Sequence, residues 1–206
     1  ILWKVLPVCD IDVDFESSLG LVFAKTRFEK EQKSWSFWKK NDNISYQINY
    51  KVKMPKTNTV DLNNDYGSIY LDNLLGKADI KCQYGKIYVG ELFGNNNNIN
   101  LDYCSSSSIA FMKSGSINVD YSKITIEESE NLKVNADYST LKFDKIGDLN
   151  FNADYGSIAI DEATNVNGNA DYVSMRFGTI KKNLIIDTDY GAISVKRLVK
   201  GFESVK

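Results

Sequence analysis

The side chains of this sequence with the types and spacing to do chemistry are phenols, carboxylates and carboxamides that recur together. Eight tyrosines, Tyr66, Tyr84, Tyr103, Tyr121, Tyr138, Tyr155, Tyr172 and Tyr190, stand at a nearly constant spacing along the chain. Seven of the eight follow an Asp, the exception following Gln83, and three positions before the tyrosine an Asn stands in six of the eight repeats. Such columns could hold a divalent cation between neighbouring carboxylates, hydrogen-bond a glycan along a flat polar face, or lend an acid/base pair to a glycosidase or lyase. Calcium takes about six to eight oxygens, and the glycine-rich nonapeptide that wraps it in calcium-binding repeat proteins is missing here, so no metal and no cofactor is assigned. Acid/base work needs two carboxyl groups in unlike environments, whereas repeated columns offer equivalent ones, and Lys142 and Arg176 occupy ordinary outward positions. There is no histidine, which removes Ser-His-Asp and Cys-His catalysis and every His-based metal site. The expectation is a chain without catalytic residues whose outward face carries Asn118, Asp120, Asn135, Asp137, Asn152, Asp154, Asn169 and Asp171 as candidate binding residues.

The elements that position these columns follow from the repeat. Self-similarity at a fixed period marks a solenoid. Four residues before each tyrosine stand Leu62, Ile80, Ile99, Ile117, Val134, Phe151, Gly168 and Ile186, and two before stand Asn64, Cys82, Leu101, Val119, Ala136, Ala153, Ala170 and Thr188. By the two-residue period of a strand this mostly apolar set points inward, the tyrosine with it, and the Asn and Asp columns point out. A buried ladder of stacked rings is therefore predicted, and the like charges of the Asp column should be offset by corner amides or the following Ser, with Asn amides bonding along their own column. A two-residue step such as Gly67-Ser68 or Gly156-Ser157 then breaks the alternation. Apolar residues resume at plus three and plus five, as in Ile87/Val89 and Ile158/Ile160, and often at plus eight, as in Leu74 and Ile180. Three short sides per repeat predict an all-β fold: a single-chain parallel β-solenoid of about eight coils of 17–19 residues. The crossover rule favours right-handed winding, less strongly for coils this short.

One repeat departs from the pattern. After Tyr103 the inward positions fall on Ser106 and Ser108 and the apolar residue is displaced to Ile109, so either small side chains narrow the core or the strand bulges. The preceding Asn95 to Asn98 run is expected to bulge outward. Residues 1–57 read as an N-terminal β cap, with strands at Asp10–Phe15, Leu19–Phe28 and Ile44–Met54, the last ended by Pro55. Trp35, Phe37 and Trp38 are expected to cap its core. Residues 58–206 form the repeat region, and one continuous unit is expected. The cap segment holds ten Lys/Arg against seven Asp/Glu and the repeat region fifteen against twenty, so neither part shows the basic face of a nucleic-acid binder. Cys9, Cys82 and Cys104 have no metal-type spacing, and a Cys82–Cys104 disulfide is not indicated. No run approaches the roughly 18 apolar residues of a membrane span, and any targeting segment would lie upstream of Ile1. An open parallel edge at the C-terminal end predicts end-to-end self-association or a capping residue or two.

The stretch Ile44 to Pro55, the Asn-Asp-Tyr-Gly-Ser-Ile of Asn64 to Ile69, and the recurring Asp-Tyr-Gly/Ser motifs resemble the adhesin-like β-solenoid domains of bacterial envelope proteins. The resemblance covers about three quarters of the chain. It implies an extracytoplasmic module, in the periplasm or on the cell surface, that binds or spaces a surface glycan or protein, and it carries no catalytic or ligand residue to transfer. Two other roles compete with this one: the sensing half of a membrane-anchored envelope-stress regulator, and a polysaccharide-active β-helix enzyme.

Overall fold

The computed structural model describes residues 11–18, 21–28, 49–200 and 202–205. The chain divides into two compact units between Met54 and Pro55. In the first, β1 (Ile11–Ser18) and β2 (Leu21–Phe28) pair antiparallel from Ile11↔Phe28 to Ser18↔Leu21, where the sequence alternates. The third expected strand is not formed over residues 49–54, which join no sheet. Tyr50 and Val52 are 41% and 55% exposed, and the Tyr50 hydroxyl bonds that of Thr26. Residues 44–48, and Trp35, Phe37 and Trp38, lie outside the described residues.

The second unit is a parallel β-solenoid. Its early coils contribute β3 (Val60–Asp65), β4 (Ser68–Leu71), β5 (Ala78–Gln83), β6 (Lys86–Leu92) and β7 (Asn97–Asp102). The later strands are longer and continue through corners, as β8 (Ser107–Asp120), β9 (Lys123–Asp137) and the 48-residue β10 (Thr140–Asp187), followed by β11 (Ala192–Leu198) and β12 (Ser204–Val205). All these pairings are parallel and one repeat apart. Leu62↔Ile80, Ile80↔Ile99, Ile99↔Ile117, Ile117↔Val134 and Val134↔Phe151 form one unbroken column.

The core is built from these columns. The positions four and two before the tyrosine are buried from Ile80 and Cys82 to Phe151 and Ala170, as are the later Ile, Val, Leu, Met and Phe positions such as Ile124, Ile126, Met175 and Phe177. Each buried aliphatic side chain stabilises by about 1.5–3 kcal/mol, and stacking identical positions removes both strand edges of every inner coil. A further inward column, six residues before the tyrosine, escaped the sequence reading: Val60, Ala78, Leu132, Leu149, Val166 and Leu184 are all buried there. Phe151 reaches into the space above it because the next coil has Gly168, where a Cβ would stand 2.3 Å from the Phe151 ring. In the last coil Ile193, Val195 and Leu198 occupy the same core columns but are 45%, 36% and 44% exposed.

Both irregular features resolve differently from a simple repeat. Ser106 adopts a left-handed φ of 58° and forms a bulge, so Ser107 and Ile109, not Ser106 and Ser108, take the inward positions. Ser107 is buried and its hydroxyl accepts the Ile87 amide at 3.2 Å, replacing the apolar side chain of the other coils with a hydrogen bond. The Asn95 to Asn98 run does not simply swing outward. Asn96 turns at φ 57° and Asn97 is buried, its Oδ1 accepting Ala78 N at 2.9 Å and its Nδ2 donating to Gly94 O at 2.7 Å and Ser114 O at 3.1 Å. A buried carboxamide is tolerated there because the backbone groups left over by the turn need partners.

Candidate functional site

The tyrosine column does not point inward. All eight tyrosines sit in the left-handed region, with φ between 47° and 60°. Strand parity holds only while successive residues are extended; one left-handed residue turns its Cβ out of the alternation. The corner is therefore the tyrosine itself and not the Gly-Ser step behind it. The side chain after it points inward, where Cys104, Ser122, Ser139 and Val173 are buried. The rings stand outside the core: Tyr66 and Tyr190 are 79% and 83% exposed and the six between them 44–52%. They stack on one another along the rod, with centroids 4.8–5.1 Å apart and planes within 1–12° of parallel. Their faces are thus occupied by one another, and the side of the column shows solvent a ridge of ring edges and hydroxyls.

The corner backbone is satisfied. Tyr84, Tyr103, Tyr121 and Tyr138 each donate their amide to the carbonyl of the Asp one coil on, at 2.9–3.1 Å. Ser122 and Ser139 add hydroxyl bonds at 2.7 Å to the carbonyls of Asp120 and Asp137. These serines were expected to serve the carboxylates; they serve the main chain instead, because the inverted corner puts them inside. The carboxylates take amides from the neighbouring coil, as Asp171 does from Asp189 N at 3.1 Å, or a side chain, as Asp102 does from Gln83 Nε2 at 2.9 Å.

Asn118, Asp120, Asn135, Asp137, Asn152, Asp154, Asn169 and Asp171 all lie on the outward side of one sheet, with Asn118 and Asn135 half-buried and the rest exposed. The Asn column forms a continuous amide ladder: Asn118 donates to Asn100 at 2.7 Å, Asn135 to Asn118 at 2.8 Å, and Asn152 to Asn135 and Asn169 to Asn152 at 3.3 Å each. Two further ladders on the same side went unread in the sequence: Asn167 bonds Asn150 at 3.3 Å, while Asn165 bonds Asp148 at 2.7 Å and Asn183 bonds Asn165 at 2.8 Å. Their signal was present, since they stand five and seven residues before the tyrosine, outward by the same parity. Asn152 and Asn169 meet Asn150, Asn167 and Lys133 around a shallow dent of about 90 Å³ floored by Phe151 and Gly168.

The electrostatics follow the columns. Partial desolvation, then the charges of Asp137 and Asp102, raise the Asp120 carboxyl above its ordinary range despite an amide bond from Asp137 that lowers it. Desolvation between stacked rings, with Tyr155, Tyr121, Asp137 and Asp154 nearby, raises the Tyr138 phenol. The ion pairs among the described residues lie elsewhere, at Lys142 with Asp144 and Asp161, Lys145–Glu128 and Lys181–Glu162. No three His, Cys, Asp or Glu side chains converge as metal ligands among the described residues. Cys82 and Cys104 are free and buried, the Cys104 thiol donating to Cys82 O at 3.1 Å, and burial pushes the Cys82 thiol up to about 12. Its low thiolate content makes it a structural side chain.

No family model, curated protein or solved structure matches this chain. The solenoid and its exposed ladders therefore stand on their own geometry.

The corner and the Asp column each lead to a measurable outcome. Tyr155, stacked on Tyr138 at 4.8 Å and Tyr172 at 4.9 Å, should tolerate Phe almost without change, while Ala should cost about 1–3 kcal/mol through two lost ring contacts. Gly should cost less than Ala by about 1 kcal/mol, because it removes the left-handed strain. Urea unfolding of the three variants gives decreasing stability in the order Phe, Gly, Ala; for a buried tyrosine in an extended strand the Gly variant would be the least stable. For Asp120 the folded value lies above the unfolded one, so its contribution is fully present below the unfolded value and is lost as pH rises through the raised folded value. Asp120→Asn should therefore raise stability near neutral pH by about 0.2–0.5 kcal/mol, a like-charge cross-strand contact discounted for solvent screening at this exposed side chain. The gain should vanish in thermal melts taken well below the carboxylate range.

Proposed function

We propose that this chain is a non-enzymatic, adhesin-like module of the bacterial envelope or cell surface that binds an extended glycan along its Asn/Asp face. The observation that carries the reading is the amide ladder from Asn100 to Asn169. A carboxamide has two N–H donors and two acceptor lone pairs, and the ladder uses one of each between coils, which leaves a spare donor and acceptor at every step. The adjoining Asn150/Asn167 and Asn165/Asn183 ladders widen this array, and the dent at Asn152 and Asn169 gives it relief. Sugar hydroxyls both donate and accept, so a row of alternating partners at constant pitch suits a polymer better than a small molecule. The ridge of tyrosine hydroxyls lies beside the Asp column and bounds the face on one side.

The Asp residues recur once per coil along the face, which favours repeated recognition over a single acid/base pair. No helix among the described residues is long and apolar enough to cross a membrane. The extracytoplasmic placement rests on the resemblance of the Asp-Tyr-Gly/Ser repeats.

A glycan array probed with the purified chain should show binding to extended polysaccharides, without depolymerisation of the bound polymer. Replacing Asn135, Asn152 and Asn169 together by Ala should weaken it by at least about tenfold, the worth of one or two net hydrogen bonds, while the fold is retained by circular dichroism. A triple variant that binds as tightly as the parent, or an array with no positive glycan, contradicts the reading.

A further inference from the structure

The tyrosine column is also a stack of oxidisable phenols held in register. Between Tyr84 and Tyr172 each ring is 44–52% exposed and lies 4.8–5.1 Å from the next, with planes within 1–12° of parallel. The backbone beneath is fixed by parallel pairing such as Asp120↔Asp137 and Asp137↔Asp154, so a ring's nearest phenols are always the same two, one coil up and one coil down. About half of each of these side chains is exposed, so an oxidant reaches the phenols from solvent.

We propose that this column is an oxidative modification site at which a one-electron oxidant of the haem-peroxidase and hydrogen-peroxide class joins tyrosines of adjacent coils as dityrosine. Each phenol gives one electron to the oxidant and its hydroxyl proton to water. The two phenoxyl radicals then form a carbon–carbon bond between ring positions ortho to oxygen. The hydrogen on each bonded carbon leaves as a proton, and each oxygen regains one, which restores two aromatic phenols. Per link, two electrons and two protons pass to one hydrogen peroxide, which becomes two waters. Coupling is directed by proximity: a radical held against one neighbour reacts with it at an effective concentration far above that of any phenol in solution. The link spans one coil, ties it covalently to the next, and does not depend on the polar-face reading.

The test is peroxidase oxidation of the full chain, dilute, at limiting peroxide, followed by trypsin and mass spectrometry. Tyr121 and Tyr138 fall in separate tryptic peptides, residues 114–123 and 134–142. These two should be found joined in monomeric protein, enriched at least about tenfold over the same reaction in urea, as expected for pre-positioned partners. A link from Tyr121 to Tyr155, two coils away, should be absent. Tyr138→Phe, which can still stack, should abolish the Tyr121 link to this position without creating one to Tyr155. The same link pattern in folded and unfolded protein overturns the proposal. So does a product made mainly of concentration-dependent dimers, or loss of tyrosine with no link between adjacent coils.

Discussion

Each coil of this rod turns a corner through a single left-handed residue, and that residue is tyrosine every time. A left-handed conformation costs a side-chain-bearing residue about 1–2 kcal/mol, which is why Gly and Asn usually take such positions. A stacked aromatic pair returns about 0.5–1.5 kcal/mol beyond burial, so strain and stacking are of the same size. The balance holds only if the next coil carries tyrosine at the same place. That condition ties the corners together along the whole rod, and it explains why the repeat length drifts from coil to coil while the column of rings stays unbroken. In the repeats from Tyr84 to Tyr103 and from Tyr103 to Tyr121 the chain takes up extra length away from the corner, at Asn96 and Ser106, the two other non-glycine residues with positive φ among those described.

The same corner organises both surfaces. By inverting parity it sends the preceding even positions and the following odd positions into one core, so a sheet carrying Ile117 and Val119 and a sheet carrying Ile124 and Ile126 close on the same interior. It leaves Asn, Asp and Tyr side by side on the outside, each repeated at the coil spacing. Amides in such a column bond to one another and flatten the face, whereas carboxylates repel and draw on backbone amides of the next coil. Rigidity and regularity of the polar face are thus consequences of how the chain turns.

Much of this was legible in the sequence because solenoid packing is local in repeat space: a column of eight residues votes on one environment. The architecture, the outward Asn118 to Asp171 face and the core columns at Ile99, Ile117 and Ile126 could all be read that way. The tyrosine orientation was misread because hydrophobic size and strand parity agree on burial, and nothing in either registers a left-handed φ. The clue lay in the next position, where Cys104, Ser122, Ser139 and several glycines keep small side chains, as an inward corner site requires. Asn97 and Ser107 were misplaced for a different reason. Their burial depends on backbone groups freed by a turn and a bulge, which no column average can show. Tyr50 and Val52 alternate like a strand, yet residues 49–54 join no sheet, because alternation by itself does not fix strand pairing.

The tyrosine column lies outside the core and braces it from there. Nitration of the native chain with tetranitromethane, mapped by mass spectrometry, tests this placement directly. Tyr121 and Tyr138 should be nitrated in the folded protein, under conditions where circular dichroism shows the sheet intact. Protection of both until the chain is unfolded would place the rings in the core and contradict this placement.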